Sequence, residues 1–400
     1  WNLNGETKTC FLEKPGTVVH DPARLPMIGD RICDTYHPFD GYIRKVSVKP
    51  MRREVMSVRP NGRAAFERGE DGAVLKFDLI YCGGEDLSHV TVIAEEKDGD
   101  AVRSKVEKNV PKIADGSITT LEIPIETRLK PGKYPVSVTL IGRNKAKGDV
   151  KIVKNVEVSI GATFADRMPA VMWGSNGSDA AVRDFGFTHV LRYFGLERPE
   201  CAPATARAIN ETFDSALADG MRTLRSMRVR YPSKDKEKYY RCLRDGSQPK
   251  TSHEKAQPEV GHPDMIEHMR KIVSTEVANF GGHPAFQGAL TVSEMRDHVY
   301  PSFRTEHLNY RKETGKDVPP EAVGKTLHWR TGPKEAAKRY PDGVVPVDDP
   351  LLAYYSWFWG GGDGWPAYQS AIANEYRKAT GRYGDGSELQ RKRPFFSFWD

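Results

Sequence analysis

The sequence lacks the features that mark several large classes of protein. Its 400 residues include no apolar run approaching the roughly 20 residues that a membrane-spanning helix needs. Its cysteines form no CxxC pair and its histidines no HExxH motif, so neither a zinc ribbon nor a zinc protease is indicated. The glycine run at residues 360–364 lacks the Lys-Ser or Lys-Thr of a phosphate loop. We therefore expect no metal, no cofactor and no membrane span.

Charge of one sign is not concentrated in the chain as a whole. There are 60 basic and 54 acidic residues, which gives a net charge of +6, and most of them are intermixed. A nucleic-acid binder usually gathers basic residues on one face or carries a recognised motif, and no such motif occurs. We therefore expect no nucleic-acid partner. The mild positive charge is compatible with an anionic glycan that carries sulfate or uronate groups.

The five cysteines leave the redox state open. Cys10 with Cys33, or Cys201 with Cys242, could pair in an oxidising compartment, and the alternative is five free thiols. The chain begins at Trp1 with neither an initiator Met nor a signal-peptide pattern. This start predicts a mature protein or a piece of a longer one.

The first module is predicted over residues 1–52. Residues 42–48 alternate apolar and polar side chains, as a half-buried strand does, and they follow Phe39, Asp40 and Gly41. This run resembles a closing strand of a laminin-G-like (concanavalin-like) jelly roll. About 50 residues are too few for such a sandwich, so the resemblance implies that the domain begins upstream. The alternative is a strand pair that packs on the next domain.

The second module, residues 53–163, has the pattern of an all-β domain. Turn residues separate short apolar runs, and strands are predicted at 55–60, 72–81, 89–95, 118–125, 134–142 and 150–160. The Pro131-Gly132 turn before a long alternating strand resembles immunoglobulin-like domains appended to polysaccharide enzymes. We expect an immunoglobulin-like β-sandwich that acts as a spacer.

The third module, residues 164–400, alternates strands and helices, which predicts a mainly parallel sheet. Strands are predicted at 168–173, 187–193, 221–227, 286–292 and 394–399. Helices are predicted at 178–185, 202–219, 263–280, 301–314, 350–359 and 365–380. Because a (β/α)8 TIM barrel needs eight strands, we expect a barrel portion within a window cut from a larger protein. The alternative is a smaller open α/β sheet that is complete at Asp400.

The third module is centred on the stretch HPAFQGALTVSEMR, residues 283–296. Its apolar run ends at Ser293 and Glu294, and a (β/α) barrel presents its catalytic acid in this way, at the C-terminal end of a buried strand. The pattern resembles clan A retaining glycoside hydrolases, most closely the family 42 β-galactosidases. The resemblance implies that Glu294 is the general acid/base. It also implies a nucleophile after strand seven, outside these residues.

Glycoside cleavage needs an acid such as Glu294, but the residue before Glu294 departs from the pattern of the clan. Glycoside cleavage needs a proton donor at the leaving oxygen and a second carboxylate opposite it. The alternative is that Glu294 is an ordinary rim carboxylate paired with Arg296. Ser293 stands where the clan usually has an Asn that binds the sugar 2-hydroxyl. This departure implies an unusual substrate, a lost contact or a degenerate site.

Other candidate substrate-binding residues lie at the ends of the predicted strands. Arg192 closes the second strand, where the resemblance implies contact with the nucleophile; the alternative is an ion pair with an aspartate on a neighbouring loop. Aromatic side chains stack on sugar faces, although core packing is the alternative for each tryptophan. The remaining candidates are Trp173, Trp399, Asp400 and, for an acidic substituent, Arg228 and Tyr231.

The sequence thus predicts a multidomain protein with all-β N-terminal modules, a jelly-roll end and a β-sandwich, followed by a TIM-barrel portion. We expect a glycoside hydrolase of poly- or oligosaccharides that acts by retaining double displacement. We expect it to be secreted, periplasmic or on the cell surface. The alternative function is a non-catalytic glycan-binding or cell-surface scaffold with the same folds.

Overall fold

The computed structural model describes residues 55–163, 169–174, 178–249, 258–292, 302–322, 337–361, 365–380 and 396–399, with 2–3 and 6–7. Near the N-terminus β1 (Asn2–Leu3) and β2 (Glu6–Thr7) form an antiparallel pair. The rest of the predicted jelly-roll end, including the strand expected at 42–48, lies outside the described residues. The first module therefore stays a prediction.

Residues 56–161 form two sheets that enclose one core. The strands are β3 (Met56–Pro60), β4 (Ala65–Glu67), β5 (Val74–Tyr81), β6 (Leu87–Asp98), β7 (Ala101–Ile113), β8 (Ile118–Pro124), β9 (Gly132–Asn144) and β10 (Gly148–Gly161). One sheet has the order β4-β10-β9-β6-β7 and the other has the order β3-β5-β8. All pairs are antiparallel except β4 with β10. Alternate side chains of both sheets, such as Phe77 and Val138, fill the core.

The predicted β-sandwich is confirmed, although two of its strands were not predicted from the sequence. β4 has only three residues, too few to show an alternating pattern. β7 is an edge strand whose side chains are mostly exposed, and charged residues and Pro111 interrupt its apolar pattern. Lysines and proline on an edge strand block pairing with other chains. The immunoglobulin-like assignment of this sandwich stays a prediction.

The third module contains a parallel sheet whose strands are neighbours in chain order. They are β11 (Val171–Trp173), β12 (His189–Arg192), β13 (Arg222–Ser226), β14 (Phe286–Val292) and β15 (Phe396–Trp399). The helices are α1 (Asp179–Asp184), α2 (Pro203–Ala218), α3 (Pro263–Phe280), α4 (Glu306–Thr314), α5 (Pro350–Ser356) and α6 (Trp365–Thr380). This strand order is the one that a (β/α) barrel has, and the described strands form an open five-stranded sheet. The complete barrel stays a prediction.

Three helices begin with a side-chain cap, and one helix changes type at its C-terminal end. Ser178 caps α1, His262 caps α3 and Asp349 caps α5, each by accepting hydrogen bonds from backbone N–H groups. The helix predicted at 350–359 is α-helical only to Ser356. It continues as a π-helix, Trp357–Gly361, and single π-helical turns are frequent at functional sites.

The two faces of the parallel sheet differ in what they contact. Leu191, Leu224 and Leu290 meet on one face. The opposite face packs against helices through a larger cluster that includes Phe213 of α2 and Tyr376 of α6. The leucine face is therefore the side that a closed barrel would enclose.

The sandwich contacts the N-terminal edge of the parallel sheet. Asp214 of α2 accepts hydrogen bonds from the backbone N–H groups of Ala64 and Ala65, both at 2.8 Å. Asp214 also accepts a hydrogen bond at 3.0 Å from Nε2 of His283, which lies in the turn before β14. The C-terminal edge, where sites of such folds lie, is the opposite edge.

Two further observations concern expectations from the sequence. Cys201 and Cys242 are free thiols, so the possible disulfide between them is not formed. The thiols of Cys201 and Cys242 each face a neighbouring backbone carbonyl, at 4.0 and 3.5 Å, instead of each other. Cys10 and Cys33 lie outside the described residues. Among the helices that the structure describes, none is long and apolar enough to cross a bilayer.

Candidate active site

The candidate site is the C-terminal edge of the parallel sheet. Trp173 ends β11 with its side chain 46% exposed, and Arg192 ends β12 with its side chain partly exposed. Glu294, Ser293 and Asp400 lie outside the described residues, as does the side chain of Trp399. The catalytic and binding roles of these residues stay predictions. The backbone of the strands that precede them is described.

Arg192 forms an ion pair with Asp179, the first residue of α1. This is the alternative that the sequence left open, a carboxylate on a neighbouring element. Asp179 is buried, and its Oδ2 has no hydrogen-bond partner among the described residues, nor has Nε of Arg192. The pair fixes the guanidinium at the rim between the first two strands. A role of Arg192 in substrate binding stays a prediction.

A buried polar network supports the loop that follows β12. Arg225 of β13 and Glu276 of α3 form a buried ion pair at 2.8 Å. Arg225 donates to the carbonyl oxygens of Phe194, at 3.0 Å, and Leu196, at 3.3 Å, while the Leu196 N–H donates to Glu276 at 2.8 Å. Burial raises the pKa of Tyr376 well above its ordinary value, so its hydroxyl stays protonated and donates to Glu276. The loop after Arg192 is therefore held by hydrogen bonds to the carbonyl oxygens of Phe194 and Leu196 and from the N–H of Leu196.

No sequence signal singled out this network. Arg225 lies in RTLRS, where polar residues lie on both sides of one leucine as they do on a half-exposed strand, and Glu276 lies in a helix with many charged residues. The sequence feature that marks this network is Gly195, because its backbone conformation and its close approach to Arg225 both disfavour a side chain at this position. Gly195 has φ +127°, and a β-carbon on it would lie 2.0 Å from Nε of Arg225.

The C-terminal end of β14 is irregular. Its register with β15 shifts between Leu290 and Val292, two residues before Glu294. Thr291 at this point is buried and hydrogen-bonds to Gln369 of α6. Such irregularities are over-represented beside active sites, where they re-aim a side chain.

The loop that follows β13 is basic and aromatic. Arg228 is exposed, and its guanidinium carbon lies 5.7 Å from the ring centroid of Tyr193. Nζ of Lys236 lies 5.5 Å from the centroid of Tyr231. Burial raises the pKa of Tyr231 to about 12, so this predicted site residue is a neutral hydrogen-bonding group. Both predicted residues, Arg228 and Tyr231, thus lie on the rim loop.

The same loop is anchored at its far end. Arg241 and Glu306 of α4 form a fully buried ion pair at 2.7 Å, and Nε of Arg241 donates to the Pro258 carbonyl at 3.2 Å. Glu259 accepts a hydrogen bond from the Thr305 N–H at 3.0 Å. These contacts join the loop after β13 to the segment after β14. The described residues bring no three His, Cys, Asp or Glu side chains together as a metal site.

Comparison with known proteins gives distant likenesses. No protein-family model matches the chain, and no curated protein sequence does. A solved β-glucuronidase 2 of Bacteroides uniformis, covalently bound to cyclophellitol-6-carboxylate aziridine, is 10% identical with a TM-score of 0.29. The similarity covers 82% of this chain and 32% of that chain. A β-glucuronidase from glycoside hydrolase family 2 is 12% identical with a TM-score of 0.25, over 66% of this chain and 26% of that one.

A shorter likeness covers less than a third of this chain. The CARDB domain of a Pyrococcus furiosus protein is 12% identical with a TM-score of 0.19, over 30% of this chain and 99% of its own. The chain spans about a third of the length of the Bacteroides β-glucuronidase. At these TM-scores the likenesses do not identify a family for this chain, and the resemblance to family 42 stays a prediction.

Proposed function

We propose that the chain belongs to a retaining glycoside hydrolase in which Glu294 is the general acid/base. The observation that carries this proposal is the position of Glu294 in the sequence, two residues after the end of β14. β14 lies inside a parallel sheet whose strands follow chain order, flanked by β13 and β15. Catalytic residues of (β/α) barrels lie at the C-terminal ends of such strands.

The chemistry assigns one half of the reaction to these residues. Glu294 protonates the glycosidic oxygen as the bond to the leaving group breaks, and a carboxylate from outside these 400 residues attacks the anomeric carbon. In the second step Glu294, now ionised, removes a proton from a water that attacks the anomeric carbon, and the bond from that carbon to the nucleophilic carboxylate breaks. A retaining outcome requires the two carboxyl groups to lie about 5–5.5 Å apart.

The described rim supports this assignment. The ion pair of Arg192 with Asp179 fixes both side chains at the rim between the first two strands. Trp173 has a partly exposed indole at the end of β11, where a sugar ring could stack. The network of Arg225 and Glu276 keeps the loop after Arg192 in place. Rigid support of this kind is what catalysis by positioned groups requires.

The test is Glu294→Gln in the full-length protein, with glycosides that differ only in their leaving group. For alkyl glycosides or oligosaccharides we expect kcat/KM to fall by about 10²–10⁴-fold, because the leaving oxygen needs a proton. For dinitrophenyl glycosides of the same sugar, kcat/KM should fall much less, because that leaving group departs unprotonated. Equal losses for both classes would indicate structural damage and contradict the assignment.

Glu197 supplies a matched control. It lies on the loop after β12 and is an exposed carboxylate that pairs with Arg230 at 3.0 Å. Glu197→Gln should leave kcat/KM within about twofold for both substrate classes, because exposed pairs contribute little.

One observation favours a second candidate function, a non-catalytic glycan-binding protein. Ser293 stands where the resemblance implies an Asn, and the shorter serine side chain reaches the sugar 2-hydroxyl only through water or a closer sugar. This alternative predicts saccharide binding that Glu294→Gln does not change, with no hydrolysis of any substrate by the full-length wild type.

A further inference from the structure

The rim loop after β13 carries more positive charge than its length would suggest. Residues 228–248 contain seven basic and three acidic residues, whereas the whole chain is nearly balanced. The loop starts at the C-terminal edge of the sheet, because β13 ends at Ser226. Positive charge beside a cleft raises the local concentration of an anionic substrate.

Arg228 is the first exposed residue of this loop, and its guanidinium lies over an aromatic ring. Its guanidinium carbon lies 5.7 Å from the ring centroid of Tyr193, whose side chain is 51% exposed. An arginine that lies over an aromatic ring in a cation–π contact still has its N–H groups available as hydrogen-bond donors. The ring and the guanidinium thus form one surface with an apolar face and a cationic edge.

The strand registers place this surface beside the end of β14. In the strand register, the backbone of Arg192 on β12 lies opposite Arg225 on β13, and that of Ser226 on β13 lies opposite Leu290 on β14. When these registers are extended along the chain, Tyr193 lies opposite Ser226 and Arg228 lies opposite Val292. Adjacent strands are about 4.8 Å apart, so Arg228 lies beside the end of β14, which precedes Glu294 by two residues in the sequence.

Neighbouring arginines are already engaged by carboxylates. Arg192 pairs with Asp179, Arg230 with Glu197 at 3.0 Å, and Arg241 with Glu306 at 2.7 Å. No carboxylate of the described residues lies within ion-pair distance of Arg228, whose described partner is Tyr193. Arg228 thus has its charge available for a ligand.

We propose that Arg228 and Tyr193 form a subsite for the carboxylate or sulfate group of an acidic sugar unit. The guanidinium fork donates two parallel hydrogen bonds to two oxygens of the anionic group. The exposed part of the Tyr193 ring packs against the C–H face of the sugar. This inference rests on the proposed function and deepens it, because it names the substrate class as anionic poly- or oligosaccharides.

The test measures binding and does not depend on hydrolysis. The full-length protein is titrated calorimetrically with three oligosaccharides of equal length, one uronate-containing, one sulfated and one neutral. We expect the wild type to prefer at least one anionic oligosaccharide. Arg228→Gln should weaken that binding by about ten- to a hundredfold and leave the neutral oligosaccharide unchanged. The two anionic probes distinguish a carboxylate subsite from a sulfate subsite.

Three further variants sharpen the result. Arg228→Lys keeps the charge but loses the fork, so an intermediate loss is expected. Tyr193→Ala should weaken binding of the same anionic oligosaccharide, because the guanidinium loses its platform. Arg143→Gln is the matched control, since Arg143 is an exposed arginine on β9 of the sandwich that pairs with Asp149. It should leave all three affinities unchanged.

Two outcomes would overturn the subsite. One is equal binding of the anionic oligosaccharides by wild type and Arg228→Gln. The other is selective, Arg228-dependent binding of a single-stranded oligonucleotide with no binding of any saccharide. If the protein hydrolyses no glycoside but binds anionic saccharides through Arg228, the hydrolase proposal fails and the subsite stands.

Discussion

Arg222, the first residue of β13, forms a buried ion pair with Glu67 of β4, with an N–O distance of 3.0 Å. The side chains are 3% and 9% exposed, and the pair crosses from the parallel sheet to the sandwich. Arg222 also donates to the carbonyl oxygen of Ala162, at 3.1 Å. The sandwich therefore supplies the counter-charge for an arginine inside the α/β module, and the two modules share a buried interface.

Glu67→Gln is expected to destabilise the whole protein by about 3 kcal/mol, because it removes a buried carboxylate charge that lies 3.0 Å from the buried Arg222 guanidinium. Urea unfolding followed by tryptophan fluorescence measures this change. Glu122→Gln is the control, since Glu122 is an exposed sandwich residue that pairs with Lys76, and its cost should be below about 1 kcal/mol. Equal small effects of the two substitutions would show that the interface pair does not couple the modules.

Gly195→Ala is expected to cost at least about 3 kcal/mol. The new β-carbon would lie 2.0 Å from Nε of Arg225 and would force the guanidinium away from Glu276. Gly186→Ala isolates the backbone contribution, because Gly186 also has positive φ but no atom lies within 4 Å of the place that its β-carbon would take. That variant should cost about 1–2 kcal/mol. If the denaturation midpoints of the two variants coincide, Arg225 is not held as described.

His189 makes stability depend on pH. It is fully buried on β12, and burial lowers its pKa from 6.5 to about 4. The unfolded chain thus binds a proton that the folded chain does not, and stability falls as pH drops from about 6.5 to about 4. The loss should approach about 3 kcal/mol at the acid end. Burial also lowers the pKa of His283, which acts in the same direction.

His189→Gln tests this contribution. Wild type and variant are compared by urea unfolding at a series of pH values between about 4 and 8. Between pH of about 6.5 and 4 the free energy of unfolding should fall less for the variant than for the wild type. The difference should approach about 3 kcal/mol, because the variant lacks the histidine that takes up a proton on unfolding. Parallel stability curves for the two proteins would contradict the assignment of His189 as a buried neutral group.

The helices and parallel strands of the third module could be predicted from the sequence for physical reasons. α3 (Pro263–Phe280) and α6 (Trp365–Thr380) have the predicted bounds, because apolar residues recur at helical spacing and breaking residues flank them. β14 also has its predicted bounds, since a turn signal precedes a continuous apolar run. These features are local in the chain.

The parts that could not be predicted depend on contacts between distant residues. Arg192 was expected to need a carboxylate, but nothing local identifies Asp179 as that partner. The pairs of Arg225 with Glu276 and Arg222 with Glu67 likewise exist only after the modules pack. In the candidate site, the sequence named Arg228 and Tyr231, whereas Tyr193 emerged from the structure as the partner of Arg228.

The measurement that tests the central claim most directly is azide rescue of Glu294→Ala in the full-length protein, with an activated aryl glycoside as substrate. Azide needs no base, so it can attack the covalent glycosyl-enzyme from the space that the carboxylate leaves. The account predicts faster turnover with azide and a glycosyl azide product of the same anomeric configuration as the substrate. Glu197→Ala should respond to azide no more than wild type does. An inactive Glu294→Ala that azide does not rescue, or one with wild-type activity, would contradict the role of Glu294.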